Sequence, residues 1–283
     1  MKDEFFTGKV AVVTGAGGTL CSEIAIHLAR LGAKVVLVGR TRSKLEKVAQ
    51  RIQEQGLVCR MEACDVNDEQ VVTAMADKVL EEWGPCRFLV NGAGGNHIKA
   101  LTTNLSFDPR ELSEDKPEEM RGFFDLDFDV FKEVVNTNVL GMVLMTRIFG
   151  CQMAAAGEGA ILNFGSMNSY RPLSRVPAYA MSKAATVNYT QWLAAYFATA
   201  GIRVNAVAPG FILNERNINY LGSEERGYTE RGRNVLHHTP MKRFGTADEL
   251  LGCVEWLLDD RKSSFVTGVT IPVDGGFLSS AGV

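Results

Sequence analysis

The chain has only four histidines, three tryptophans and eight prolines, and no Cys-x-x-C pair. Its six cysteines are scattered and keep away from the histidines. That pattern excludes an obvious zinc site or disulfide framework, and fits the reduced thiols of a cytoplasmic protein. Charge of one sign is lacking too: a net charge of −3 leaves no basic footprint for nucleic acid. No run approaches the length of a membrane span, and the polar start MKDEFFTGK does not read as a signal peptide. Repeats, low-complexity segments and a convincing linker are absent. What remains, 283 residues with 46% hydrophobic and 22% charged content, is the composition of a soluble globular chain with ample core. The length fits one large α/β domain or two small ones.

Taken in order, Val10–Val13 reads as a β-branched strand. TGAGGTLCSEIAIHLARLG follows as a glycine turn and an amphipathic helix ending at Gly32. Lys34–Val38, Leu57–Glu62 and Phe88–Val90 read as strands, with helices at Ser43–Glu54 and Asn67–Trp83. This alternation implies right-handed crossovers and a parallel sheet. Lys99–Asp125 breaks the pattern, and is either a surface excursion or a lid. A long helix at Phe128–Met153, a strand at Ile161, a helix from Tyr179 and a strand at Arg203–Ala208 follow. An irregular region covers Phe211–Gly245, before a helix at Ala247–Leu258 and a last strand at Gly268–Val273.

Two stretches carry chemistry. Tyr179 and Lys183 are four apart and share one face of their helix, with Ser166 at the end of the preceding apolar run. A nearby ammonium favours the phenolate, so Lys183 is expected to lower the Tyr179 pKa into a range useful for acid–base work. Taken alone, such a pair is more often an ordinary helix face with its ammonium in water. The first glycine turn lies between strand and helix, where a dinucleotide pyrophosphate meets backbone N–H groups. Gly15 would make the tight turn, and Gly17 and Gly18 would let backbone approach the phosphates. The second strand ends in Val38–Gly39–Arg40–Thr41–Arg42, without the acid that usually meets NAD. Arg40 is suited to a 2′-phosphate, which makes NADP the preferred cofactor and NAD the alternative. Arg40 and Arg42 also read as solvated residues at a helix start.

Together and in order, these pieces resemble the short-chain dehydrogenase/reductase family. The resemblance rests on Thr14–Gly15, Asp65–Val66, Asn91–Gly92–Ala93–Gly94, Asn138, Ser166, Tyr179, Lys183, Pro209–Gly210 and Asp274–Gly275–Gly276, and covers nearly the whole chain. It implies a single doubly wound Rossmann domain over 1–283, with a parallel sheet of about seven strands and helices on both faces. Irregular substrate loops at 95–127 and 211–245, a nicotinamide cofactor and a homotetramer joined through the long helices are implied with it. Gly15, Gly17, Gly18, Thr19 and Leu20 would then surround the pyrophosphate, and Asp65 and Val66 the adenine. Asn91, Ala93 and Gly94 would support the riboses, while Pro209, Gly210, Ile212 and Asn214 would lie along the nicotinamide. Four positions depart from the family pattern: Thr19 and Cys21 replace glycines, Gly92 stands where a second Asn is common, and Asn214 stands where a Thr often bonds the carboxamide. A finer resemblance, within that family, is to its D-mannonate oxidoreductases, or fructuronate reductases. NGAGGNHIKALTTN, FGSMNSYRPLSRVPAYAMSKAA, TQWLAAYF, GIRVNAVAPGFILNERN, HHTPMKRFGTADELLG and SSFVTGVTIPVDGGF carry it.

The resemblance implies hydride transfer between the nicotinamide and a substrate carbon. Tyr179 exchanges the proton, Lys183 tunes it and binds the ribose, Ser166 bonds the carbonyl oxygen, and Asn138 holds a relay water. A sugar acid needs a cation and several hydrogen-bonding groups. Asn96, His97, Lys99, Asn168, Arg171, Arg175, Asn214 and Arg216 are the candidates, each also readable as a surface loop residue; His97 also reads as a cap. No ordered metal-ligand set stands out. The rival readings are a reductase of another polyol or keto acid, such as 5-ketogluconate, and a non-catalytic dinucleotide sensor.

Overall fold

A computed structural model describes residues 3–214 and 217–280. Strand β1 (Val10–Thr14) is buried along its whole length, as a strand covered on both faces must be. Its side chains alternate: Ala11 and Val13 enter one hydrophobic layer, Val10 and Val12 the other. β2 (Lys34–Gly39) repeats this, with Val35 and Leu37 on one side and Val36 and Val38 on the other. β3 (Cys59–Ala63), β4 (Cys86–Asn91), β5 (Gly159–Phe164) and β6 (Ile202–Pro209) continue the sheet. β7 (Gly222–Ser223) and β8 (Gly227–Tyr228) form a separate hairpin, and β9 (Thr270–Val273) closes the main sheet. The seven strands are all parallel, in the order β3-β2-β1-β4-β5-β6-β9.

The main helices are α1 (Thr19–Arg30), α2 (Arg42–Gln53), α3 (Glu69–Trp83), α4 (Phe128–Val135), α5 (Gly141–Ala156), α6 (Pro177–Phe197), α7 (Ile218–Leu221), α8 (Glu230–His238) and α9 (Leu251–Leu258). Ile24, Leu28, Leu45, Ile52 and Val254 bring α1, α2 and α9 onto one face of the sheet. Val72, Met75, Phe149, Met153 and Leu193 bring α3, α5 and α6 onto the other. The expected doubly wound α/β fold is therefore what the chain adopts. Successive strands run outward from β1 in one direction and from β4 in the other, which opens a crevice beyond their carboxyl ends.

Some boundaries differ from the sequence reading for local reasons. α3 starts at Glu69 rather than Asn67, because Asp68 caps it by accepting the Val71 N–H at 3.1 Å. α4, a π-helical turn at Asn136–Leu140 and α5 run together over Phe128–Ala156. Contrary to expectation, this helix is long and apolar enough to cross a membrane by length and composition, with mean hydropathy 1.5. Met145, Phe149 and Met153 instead bury part of it against the sheet.

The segment expected to be structureless between Lys99 and Asp125 holds short 3-10 turns, at Pro109–Leu112 and Phe123–Asp125. Buried Glu111 organises it, accepting from Asn104 Nδ2 at 3.1 Å and from the Asp108 N–H at 3.3 Å. Phe211–Gly245 is likewise less irregular than its composition suggests. It contains α7, the hairpin and α8, gathered around Leu221, Val235 and Phe244.

Candidate active site

β5 delivers Ser166 just past its end, and Pro177 starts α6 so that Tyr179 and Lys183 follow within its first two turns. Proline suits that first position because its missing N–H has no helical partner there. The Ser166 oxygen accepts from the Asn168 N–H at 3.2 Å and from Asn168 Nδ2 at 3.5 Å. A hydroxyl that accepts twice keeps its proton for donation, and the Ser166 hydroxyl is the neighbour that holds the Tyr179 phenol down. Ser169 ties the two elements together: its hydroxyl accepts the Ser166 N–H at 3.2 Å and donates to the Lys183 carbonyl at 2.7 Å.

The electrostatics depart from the sequence-based expectation. Burial pushes the Tyr179 phenol above its ordinary value, and the Ser166 hydrogen bond works against that rise. Lys183 lies 5.6 Å from the Tyr179 ring centroid and donates to the Phe164 carbonyl at 2.6 Å. It does not lower the phenol here. Burial brings Lys183 itself down to about 8. Loss of solvent is the largest influence on each group.

Ser166, Tyr179 and Lys183 share a cleft of about 720 Å³ with most of the expected nucleotide residues. Gly15, Gly17, Gly18, Thr19 and Leu20 line one part of it, Arg40, Asp65 and Val66 another, and Ala93, Gly94, Pro209, Gly210 and Asn214 a third. No side chain caps α1 at Gly18, and no acid stands in its first turn. Its leading N–H groups and positive dipole end thus suit an anion. Gly15 has a positive φ of +67°, and a Cβ there would come within 2.7 Å of the Gly92 carbonyl. A Cβ at Gly17 would meet Lys44 Cβ at 2.8 Å. Thr19 begins α1 without a positive φ, so glycine's freedom is not needed at that position. These features fit a nicotinamide dinucleotide along the crevice. Arg40 Nη1 stands 4.0 Å from the Asp65 carboxylate, both largely exposed.

Other expected residues sit elsewhere. Asn91 is buried and does not line the cleft; its Nδ2 donates to Thr146 at 3.0 Å and Asn163 at 2.9 Å, joining strands to α5. Ile212 lines a neighbouring cavity and bridges to Gly245. Asn138 does line the cleft, but its amide is taken up by Gly95: Oδ1 accepts the N–H at 2.7 Å and Nδ2 donates to the carbonyl at 2.9 Å.

Among the expected substrate residues, Asn96, His97 and Asn168 line the cleft. His97 also acts as a cap, its Nδ1 accepting the Lys99 N–H at 3.2 Å. Three cations fall outside the lining. Lys99 stands 3.7 Å from Asp127, Arg171 donates to the Ser280 carbonyl at 2.8 Å, and Arg175 adopts φ 71° with its carbonyl bonded to the Thr102 N–H. Arg216 lies outside the described residues. Sequence reading missed Arg231, which lines the cleft from the first turn of α8. The one signal available was Thr229, a helix cap beside Glu230. Among the described residues, no group of three or more His, Cys, Asp and Glu side chains gathers as for a metal ion.

Known proteins resemble this chain over nearly its whole length. An uncharacterized oxidoreductase of Bacillus subtilis (strain 168) is 41% identical over 280 residues, covering 99% of this chain and 98% of its own. The 2-dehydro-3-deoxy-D-gluconate 5-dehydrogenase of the same organism is 32% identical, over 96% of this chain and 95% of its own. A proposed D-mannonate oxidoreductase from Haemophilus influenza, crystallised with NAD, superimposes with TM-score 0.91 at 39% identity. That match covers 100% of this chain and 98% of the other. A family model for short chain dehydrogenase matches residues 9–223. Glycine turn, cleft and Ser–Tyr–Lys cluster thus belong together: the chain is a member of the short chain dehydrogenase family, an oxidoreductase that uses NAD or NADP.

Proposed function

We propose that the protein interconverts a keto sugar acid and its alcohol, with D-fructuronate and D-mannonate as the pair. The observation that carries this reading is that Ser166, Tyr179 and Lys183, one turn further on, line one cleft with the glycine turn. The bound cofactor supplies or accepts the hydride at its nicotinamide ring. In reduction, Tyr179 releases its proton to the oxygen that gains charge, and the Ser166 hydroxyl turns its one proton from the phenol to that same oxygen. Lys183, one turn along α6, has the reach to hold a ribose hydroxyl. Asn138 is proposed to hold the relay water through its main chain, since its amide is occupied by Gly95. The π-helical turn around it is where backbone carbonyls lose their regular partners.

The polar lining supports a hydroxylated, anionic substrate: Asn96, His97, Asn168 and Asn214 stand around the cleft, with Arg231 among them. The likeness to the D-mannonate enzyme points the same way. A second reading, reduction of a ketogluconate, draws support from the keto-deoxy-gluconate relative. Arg40 in the cleft lining favours NADP over NAD. Along with these we propose one domain over 1–283, with substrate loops at 95–127 and 211–245, acting in the cytoplasm as a homotetramer. Exposed Trp192 and Tyr196 on α6 and Leu140 beside α5 support that assembly.

The test is oxidation of NADPH and NADH with D-fructuronate, 5-ketogluconate and acetoacetyl thioesters. Preferential turnover of D-fructuronate is expected. Tyr179→Phe should lower turnover by about 10²–10⁴-fold, the range for a lost proton-transfer group. Tight cofactor binding without turnover of any substrate would favour the sensor reading and overturn this one.

A further inference from the structure

We infer that Arg231 forms the carboxylate-binding subsite of the cleft, an inference that rests on the keto sugar acid reading above. Of the cations lining the cleft among the described residues, Arg40 and Lys44 lie with the second strand and α2, and Lys183 is buried beside Tyr179. Arg231 reaches the cleft from the segment after β6, which also contributes Phe211 and Asn214 to the lining. Among the described residues it forms no ion pair, whereas Lys99 has Asp127 and Arg40 has Asp65.

Its backbone is held firmly. The Thr229 hydroxyl caps α8 by accepting the Gly232 N–H at 3.0 Å, and donates to the Tyr220 carbonyl at 2.7 Å. Gly232 lies so close to α7 that a Cβ would stand 1.9 Å from the Leu221 carbonyl. The first turn of α8 is therefore pinned while its arginine stays exposed. A fixed base under an unpaired guanidinium is the arrangement that binds a planar carboxylate through two parallel hydrogen bonds. A neutral ketose offers that fork only hydroxyl oxygens, without the charge or the planar pair of acceptors. Arg231 thereby selects acids over neutral sugars, and positions the carbonyl at the other end of the substrate against Tyr179.

The experiment compares wild type, Arg231→Gln and Arg231→Lys, with D-fructuronate and with D-fructose as the neutral counterpart. KM for the acid should rise at least about ten-fold in Arg231→Gln, with a smaller change in kcat, as for loss of a charged hydrogen bond. The preference for acid over ketose should fall by a similar factor. Arg231→Lys keeps the charge without the fork and should lie between. Circular dichroism melting and NADPH affinity, both close to wild type, separate this from a folding or cofactor defect. An unchanged KM for the acid in Arg231→Gln, or an equal loss in NADPH affinity, would overturn the subsite and leave the proposed activity standing. A wild-type protein that reduces D-fructose but no keto sugar acid would instead overturn the proposed activity, and the subsite with it.

Discussion

The sulfur of Cys21 occupies the space that a side chain at position 92 would need: a Cβ built on Gly92 would stand 2.1 Å from Cys21 Sγ. Two separate departures from the family pattern are thus one physical feature. The thiol on α1 is accommodated by the missing side chain after β4. Gly92→Ala should overpack this contact and destabilise by about 1–3 kcal/mol, lowering Tm by about 2–4 °C for each kcal/mol. Cys21→Gly added to Gly92→Ala should recover part of the loss. A double variant no more stable than Gly92→Ala would separate the two positions.

Proton exchange at Tyr179, as proposed, would set a pH signature. Reduction needs the protonated phenol, oxidation the phenolate. Burial raises the phenol while Ser166 lowers it. Alcohol oxidation should therefore rise with pH, and the reduction rate should hold through neutral pH. Ser166→Ala removes the lowering influence, so its oxidation limb should move to higher pH. Initial rates in both directions across the pH range check this; a limb displaced downward would contradict the assigned bond.

Lys183 links stability to pH. Burial brings it from 10.5 down to about 8, so the unfolded chain holds that proton more tightly. Stability from this group should increase as pH rises from about 8 towards 10, and decrease as pH falls through the folded value. Urea unfolding at several pH values should show a steeper rise for wild type than for Lys183→Met. Parallel curves would count against a displaced lysine.

Arg40 governs the choice of dinucleotide in the reading above. Arg40→Ala should lower kcat/KM with NADPH by about ten-fold or more, the worth of a lost charged hydrogen bond, and leave NADH use near its original level. Equal losses with both cofactors would remove the 2′-phosphate role.

Glu111 anchors the long segment between β4 and α4. Glu111→Ala would remove the acceptor shared by the half-buried Asn104 amide and Asp108 N–H, at a cost of about 1 kcal/mol. Limited proteolysis should then cut first within 99–127. A cleavage pattern identical to wild type would mean that other contacts hold the segment.

The expected Ser–Tyr–Lys cluster, glycine turn and sheet were legible because each depends on short-range spacing. Period-two burial in β1 and β2, proline at the start of α6 and glycine at a positive φ leave marks in neighbouring residues. Arg231 left almost none, since its place in the cleft depends on Gly232 packing against α7. Among the candidate cations, Arg171 looked as suitable in sequence, but the fold turns it to Ser280.

By itself, then, the sequence determined the alternation of strands and helices, because local periodicity dictates which faces are buried. It also placed a phenol and an ammonium one turn apart, because helix geometry is local. Tertiary structure alone decided which cation reaches the cleft and why Cys21 and Gly92 are compatible. It also decided that the phenol is raised rather than lowered. Each of those depends on distances and solvent exclusion between segments far apart in the chain, for which neighbouring residues carry no signal.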